Sequence, residues 1–261
     1  MTPERVAAAS DAWVWRPDHA TVVETEEYLL VRFPDWFEHP SAMLRFHPAR
    51  EPGAVLDEVL AHARDFGVDR MVAWVKPLPD ARLAGELDGL LEARNGVRDE
   101  VLDVLALDLT SGAPDLAPPD GLTLRWTTEA DVVRDSEEVS VKVFGGAMPP
   151  DAELDAILER NRRTVASGEG GIVVAYDGGR PLGLGGLSVV DGVARLWGGA
   201  VLEEARGRGV YRAVLAERIR YGVTHGATMA LVKGRVATSG PILRRAGFAP
   251  YGQEWSYLVP L

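Results

Sequence analysis

The chain has 261 residues, 46% of them apolar, and a formal net charge of −11 at pH 7. This length and apolar content support a buried core, so disorder is excluded as a general description. Cysteine is absent, which excludes disulfides, thiolate metal sites and a cysteine nucleophile.

Localisation and partners are expected from the same features. No apolar run approaches the roughly 18 to 20 residues of a membrane helix, and the first residues lack the pattern of a secretory signal. The excess of acidic residues argues against nucleic acid or an anionic membrane as a partner, because both are bound through Lys and Arg. We therefore expect a cytoplasmic protein.

The first half of the chain predicts a helix, a buried strand, a second helix and a further strand. The helical pattern begins at Val55 and ends at Gly67, and the apolar run at residues 71–75 predicts the strand. Residues 83–94 predict the next helix, and residues 101–109 alternate as a strand. Residues 111–120 contain three prolines and predict a linker, which divides the chain into domains 1–110 and 121–261.

The second half predicts an antiparallel meander between helices. Asp-Gly pairs at Asp177 and Asp191 predict hairpin turns. We expect a strand at residues 121–126, helices at 130–144 and 151–166, and meander strands at 172–176, 181–190 and 193–202. A long helix that includes Val214 and ends at Gly226 follows. A strand at 229–232, a short helix at 241–246 and a last strand at 254–259 complete the order.

The two halves share a long-period repeat. Val214-Leu-Ala-Glu217 leads to Gly226 twelve residues after Val214 and then to an apolar strand, as Val55-Leu-Asp-Glu58 leads to Gly67. This predicts an internal duplication. Chance resemblance between two helix–strand units is the alternative.

Basic residues are concentrated near the end of the chain. Residues 205–250 contain nine Lys and Arg against one acid, Glu217. The asymmetry favours a compact polyanionic ligand held in this region. A solvated basic helix face is the alternative.

The loop before the long helix predicts an anion site. Gly207 and Gly209 let the backbone turn its amides towards one point, and the helix that follows adds the positive end of its dipole. Arg206, Arg208 and Arg212 add charge. A tight turn without a ligand is the alternative. The chain has no Gly-Lys-Ser/Thr triplet, and the glycines of residues 183–186 continue into a strand, which predicts a bulge or close packing rather than a cofactor loop.

Residues 206–211, Arg-Gly-Arg-Gly-Val-Tyr, resemble the Gln/Arg-x-x-Gly-x-Gly/Ala signature of the GCN5-related N-acetyltransferases (GNATs). The order of elements over residues 121–261 is similar to that fold as well, and Gly247-Phe248 resembles a later motif of the family. The resemblance implies an α/β (α+β) fold with two GNAT-like domains, each a mixed, mostly antiparallel sheet flanked by helices. It also implies acetyl-CoA as acyl donor, without a metal. The implied cofactor-binding residues are Gly199, Ala200 and Val201 along the pantetheine arm, and Arg206, Gly207, Arg208, Gly209, Val210, Tyr211 and Arg212 around the pyrophosphate.

The first half resembles a degenerate copy, as in tandem members of the family. Residues 50–53, Arg-Glu-Pro-Gly, lack three residues and one glycine of the loop, and Pro52 has no amide to donate. We expect this half to border the acceptor site. A role in packing or in a homodimer is the alternative.

The acid–base residues that are common in the family are missing. Leu243 stands where many members have a tyrosine that protonates the thiolate, and Trp197 stands where many have a glutamate. No catalytic residue is assigned, because a structural role is the simpler interpretation of each nearby polar residue: Ser239, Tyr251, Glu254 and Tyr257. The resemblance implies transfer of an acetyl group from acetyl-CoA to the primary amine of a small molecule. A coenzyme-A-binding module without turnover, or a larger acyl group, is the alternative.

Overall fold

The structure is a computed structural model that describes residues 1–17, 20–35, 37–77 and 80–261. In chain order the elements are α1 (Pro3–Asp11), β1 (Thr21–Glu24), β2 (Tyr28–Arg32), β3 (Ser41–Phe46), α2 (Pro52–Asp65), β4 (Arg70–Val75), α3 (Ala81–Glu92), β5 (Val97–Asp108), β6 (Thr123–Trp126), α4 (Ala130–Phe144), α5 (Asp151–Ser167), β7 (Gly170–Asp177), β8 (Arg180–Val190), β9 (Val193–Val201), α6 (Val210–Thr224), β10 (Met229–Arg235), α7 (Ser239–Arg245) and β11 (Ala249–Pro260).

The chain forms two compact units that are not continuous in sequence. The first-half unit comprises residues 2–105, 234–245 and 249–261. The second-half unit comprises residues 1, 106–233 and 246–248. The last helix and the last strand therefore pack with the first half of the chain, whereas the predicted boundaries place them with the second half. The sequence does not indicate that the last helix and strand pack with the first half, because strand pairing depends on residues that are distant along the chain.

The first-half unit has a mixed sheet in the order β1-β2-β3-β4-β11-β5. Strand β4 is parallel to β3 and antiparallel to β11, with Trp255 opposite Val75. Helix α2 covers the sheet because its apolar residues recur at helical spacing, and the residues of α2 that are buried in the core are Val55, Leu56, Val59, Leu60 and Ala63.

The second-half unit has a mixed sheet in the order β10-β9-β8-β7-β6. Strands β6 to β9 form an antiparallel meander, and β10 runs parallel to β9 because α6 crosses between them. Helix α6 turns its apolar side to the core, where Val214, Leu215 and Ile219 are buried. The predicted mixed, mostly antiparallel sheets flanked by helices are confirmed.

Most predicted elements are present, with three differences. The segment before residue 50 forms α1 and strands β1 to β3, for which the sequence offered no prediction. The last strand covers Ala249–Pro260 rather than residues 254–259. The first meander turn is Gly178-Gly179, because Asp177 still pairs with Arg180, whereas the predicted turn at Asp191-Gly192 is confirmed by positive φ at both residues (50° and 71°).

A buried carboxylate holds the C-terminal segments in the first-half unit. Asp103 of β5 is only 2% exposed. Its Oδ2 accepts a hydrogen bond from Arg244 Nη2 at 2.7 Å, and its Oδ1 accepts one from Gln253 Nε2 at 3.0 Å. One side chain thus connects β5 with α7 and β11.

We expect Asp103→Ala to lower the free energy of unfolding by about 2 kcal/mol, because two hydrogen bonds to a buried charged group are lost. Urea denaturation followed by circular dichroism measures the loss. Asp99→Ala, an exposed change on the same strand, is the control and should shift stability by less than about 0.5 kcal/mol. Equal stability of the two variants contradicts the prediction.

Candidate active site

The loop between β9 and α6 turns at two glycines. Glu203–Ala205 forms a short 3₁₀ turn, and Gly207 and Gly209 follow with φ of +77° and +80°. L-residues rarely adopt this backbone conformation, so both positions favour glycine. The loop from residue 206 to residue 208 is exposed.

The loop leaves a row of amides without protein partners. Helix α6 begins at Val210 with Gly209 as N-cap, and no side chain caps it. Within the described ranges, none of the backbone hydrogen bonds of turns, loops and caps is donated by an amide of residues 207–212. These amides lie at the positive end of the α6 dipole, which favours an anion at this point.

Three arginines surround the loop, and one of them has an acidic partner. Arg206, Arg208 and Arg212 are exposed. Arg208 Nη2 donates to Asp177 Oδ2 at 2.5 Å, and both side chains are about half exposed. An exposed ion pair of this kind contributes little and is readily exchanged for another anion.

The basic residues do not form the single cluster that the sequence indicates. Arg218 is buried and Arg220 pairs with Glu217. Arg235 and Arg244 belong to the first-half unit, where they pair with Glu100 and Asp103. Burial or an ion pair already engages these four arginines, so the basic region expected from the sequence is reduced to fewer residues, which include the loop arginines.

Strand β9 has an open edge next to the loop. Its parallel pairing with β10 covers Val193–Leu196 against Met229–Val232. Beyond this stretch, Gly198 and Gly199 are exposed, and Ala200 and Val201 pair with β8 on the other side. In the described part of the chain, the edge of residues 199–201 that would face β10 is therefore unpaired.

A buried arginine lies beneath this edge. Arg218 of α6 is 1% exposed. Its Nη1 donates to the carbonyl oxygens of Gly186 at 3.1 Å and Trp197 at 3.3 Å, and its Nε donates to Val214 O at 3.3 Å. Burial lowers the pKa of Arg218, and electrostatic interaction with the Tyr211 side chain opposes this effect.

The glycines of β8 make room for large side chains. A Cβ at Gly185 would lie 2.7 Å from Arg218 Cζ, and one at Gly186 would lie 2.5 Å from the Trp197 ring. The strand pairing also shifts between Leu184 and Gly186. The prediction that residues 183–186 form a bulge or a close-packed strand is confirmed.

The polar residues considered as acid–base groups lie in the first-half unit, and three of them have structural partners. Glu254 is buried and its Oε1 accepts a hydrogen bond from Ser10 Oγ at 2.6 Å. Tyr257 is buried, which raises the pKa of its hydroxyl, and Arg98 lies over its ring. Ser239 Oγ accepts a hydrogen bond from the Arg235 amide at 2.8 Å. Tyr251 lies half-buried in β11, and Leu243 is fully buried.

The corresponding loop of the first-half unit has the opposite electrostatics. Glu51 caps α2, because its Oε2 accepts a hydrogen bond from the Ala54 amide at 2.7 Å. Arg50 pairs with Glu27 and Glu58, and the hydrogen bonds that Arg50 donates to Glu27 lower the pKa of Glu27 to about 2. A carboxylate therefore occupies the helix N-terminus that an external anion would need.

Helix α4 contributes a carboxyl group that the sequence analysis did not single out. Glu137 is half-buried in the second-half unit. Burial raises the pKa of this carboxyl, Arg160 opposes the shift and Glu153 adds to it. No signal in the sequence distinguishes Glu137 from the exposed acids of the same helix.

A family model matches the part of the chain that contains the glycine loop. Residues 140–240 match the model of the acetyltransferase (GNAT) family, so this part of the chain belongs to that family. The matched residues include the glycine loop, β9 and α6. The resemblance seen in the sequence is thereby confirmed, and members of the family transfer acyl groups from acyl-CoA.

Solved structures agree on the fold. A GCN5-related N-acetyltransferase from Kribbella flavida has a TM-score of 0.70 at 16% identity, covering 99% of this chain and 96% of its own. One from Sphaerobacter thermophilus has a TM-score of 0.64 at 16% identity, covering 90% and 81%. A tandem GNAT protein from the clavulanic acid biosynthesis pathway has a TM-score of 0.60 at 16% identity, covering 98% and 87%.

No curated protein matches the chain in sequence. Among the residues that the structure describes, no helix has both the length and the apolarity to span a bilayer.

We expect Glu137→Gln to stabilise the protein at neutral pH and not at pH 4. A raised pKa in the folded state means that the folded protein binds more protons than the unfolded chain, so stability falls as pH rises from the unfolded pKa of about 4.3 through the folded pKa. Urea denaturation at both pH values measures the difference. Glu138→Gln, at an exposed neighbour, should show no such pH dependence, and identical behaviour of the two variants contradicts the prediction.

Proposed function

We propose that the second-half unit binds acetyl-CoA at the α6 loop and transfers the acetyl group to the primary amine of a small molecule. The observation that carries this proposal is the row of unpartnered amides at residues 207–212. A pyrophosphate is an anion of the size and charge that such a row binds.

The charges around the loop support a phosphorylated donor. Arg206 and Arg212 are exposed beside the amides, and planar guanidinium groups suit bidentate contacts with phosphate oxygens. Since the chain as a whole has a net charge of −11, a local cationic loop also directs an anionic ligand to this place.

The open edge of β9 supports the rest of the donor. The arm of coenzyme A contains amide groups, and an unpaired strand edge offers N–H and C=O groups that pair with them. We propose that residues 199–201 form these contacts. The acyl group would then lie next to Gly199 and next to Gly198, which has a φ of +59°.

An amine acceptor must lose a proton before it attacks. An alkylamine with a pKa of about 10.4 is almost fully protonated at pH 7, and its deprotonation costs about 4 to 5 kcal/mol. Transfer from coenzyme A directly to the amine needs no protein nucleophile, which is compatible with a chain that lacks cysteine. The acidic exterior suits a cationic acceptor without selecting one.

A coenzyme-A-binding protein without turnover is the second candidate. It is favoured by Leu243, a fully buried apolar residue at the position where many family members have an acid. An enzyme that uses a larger acyl group is the third, and competition between acetyl-CoA and longer acyl-CoA thioesters distinguishes it.

We expect Gly207→Asp to weaken CoA binding at least about tenfold relative to Gly207→Asn. The two side chains have the same size and tolerate positive φ comparably, and a Cβ at this position meets no atom within 4 Å. They differ in one negative charge, which opposes the pyrophosphate. Isothermal titration calorimetry with CoA measures the ratio, and equal affinities of the two variants contradict the proposed site.

The loop arginines provide a second binding test. Arg212→Gln should weaken CoA binding by about three- to tenfold and reduce its salt dependence, because one phosphate contact is lost. Arg163→Gln, an exposed change on α5, is the matched control and should leave the affinity unchanged.

Turnover separates the enzyme from the binding protein. Release of free CoA from acetyl-CoA is followed with a thiol-reactive chromogenic disulfide, which has no protein background because the chain has no cysteine. A panel of alkylamines, diamines, aminosugars and amino acids serves as acceptors. Amine-dependent release supports transfer, whereas tight CoA binding without release across the panel supports the second candidate.

A further inference from the structure

A cavity is present in the first-half unit, and none of its lining residues belongs to the proposed donor site. Its volume is about 320 Å³, near the lower end of the range for small-molecule sites, about 300 to 1,000 Å³. The ends of β3 and β4, the residues directly after them and the first turns of α3 form its walls, and Asp11 at the end of α1 also lines it. All of these elements belong to the same unit.

The cavity lies where two parallel strands diverge. The pairing of β3 with β4 ends at Met43 and Ala73, and both strands continue beyond this pair. Residues 44–46 of β3 and Trp74 of β4, which follow the last pair, line the cavity. Strands β2 and β11 occupy the outer edges, so within the described residues the inner edges lack a strand partner here. Their N–H and C=O groups are available to an added extended chain.

The interior of the cavity is apolar. Phe46 of β3, Trp74 of β4, and Ala84 and Leu87 of α3 are among its lining residues. Phe46, Ala84 and Leu87 are buried in the core of the unit, so packing holds these walls in place. Such a lining favours a ligand that carries an apolar side chain.

Charged groups of both signs line the same cavity. Arg45 and Lys76 are cationic, and Asp11 and Asp80 are anionic. Asp80 is exposed, and the other three are half-buried, so the charges lie nearer to solvent than the apolar walls. Asp80 Oδ1 also accepts hydrogen bonds from the first amides of α3 at 3.0 Å. A ligand with one ammonium and one carboxylate group suits this combination.

The first-half unit lacks the anion site that the α6 loop offers. The carboxylate of Glu51 accepts a hydrogen bond from the Ala54 amide at the start of α2, and Arg50 is paired with Glu27 and Glu58. A negative charge at the helix N-terminus repels a phosphate group. A ligand of the cavity between β3 and β4 is therefore expected to carry no phosphate.

We propose that this cavity binds a short apolar peptide with free termini, whose backbone lies between the ends of β3 and β4. The strand edges form hydrogen bonds with the peptide amide, the apolar walls contact a side chain, and the charged groups bind the termini. The small volume limits the bound part to a short segment. This site does not depend on the proposed function, because it lies in the other unit.

Isothermal titration calorimetry of the full chain with the dipeptide leucyl-leucine tests the proposal. We expect a Kd below about 1 mM, as for a ligand of this size, in the absence and in the presence of saturating CoA. N-methylation of the peptide amide should weaken binding by about fivefold, because one hydrogen bond is lost. Pantetheine, which has amide groups but no charged termini, should bind at least about tenfold more weakly.

A variant that fills the cavity locates the site. Ala84→Leu adds apolar volume to the wall that α3 contributes and should weaken dipeptide binding at least about tenfold. Ala81→Leu is the matched control, because this residue is exposed on the same helix and does not line the cavity. Thermal unfolding measures whether both variants are folded.

Hydrogen exchange of the wild type locates the site without a variant. Leucyl-leucine should slow exchange at the backbone amides of residues 44–47 and 74–76, because these amides become less accessible, and leave residues 206–212 unchanged. Absence of dipeptide binding, equal affinity of folded Ala84→Leu and Ala81→Leu, or protection confined to other segments overturns the inference. Tighter binding of pantetheine than of the dipeptide overturns the choice of a peptide as ligand.

Discussion

An uncapped helix N-terminus is the constraint on which the candidate site depends. Most helices satisfy their first amides with a Ser, Thr, Asp or Asn side chain, and such a cap contributes about 1 kcal/mol. Helix α6 has Gly209 instead, and its first amides remain available. The missing side-chain cap lowers local stability, and an anion bound to the same amides would restore it. The neighbouring Gly207 keeps side chains away from the approach.

The first-half unit shows how few residues decide whether such a site exists. Helix α2 stands in a similar order of elements, between two parallel strands, but it begins with Glu51 and Pro52. The Glu51 carboxylate accepts a hydrogen bond from the Ala54 amide, and Arg50 is held by two acids. The same helix–strand pattern therefore has an internal anion in one unit and accessible amides in the other.

A second constraint acts beneath the strand edge. Burial of a guanidinium without a carboxylate partner is expensive unless its donors are satisfied. Carbonyl oxygens of Val214, Gly186 and Trp197 satisfy Arg218, and the absent side chain of Gly185 leaves space for the group. The missing side chain at Gly185 and the carbonyl oxygens of Gly186 and Trp197 thus allow Arg218 to be buried.

Local signals in the sequence by themselves determined the helix–strand units, the Asp191-Gly192 turn, the glycine loop and the family, because each depends on residues that are close along the chain. The tertiary structure decided the rest. The pairing of β11 with β4 uses backbone groups that almost every residue has, so no pattern of residues in the sequence predicts this pairing. The loop arginines, the buried Arg218 and the paired Arg235 look alike in sequence, and only folding determines which of them is exposed, which is buried and which has an acidic partner.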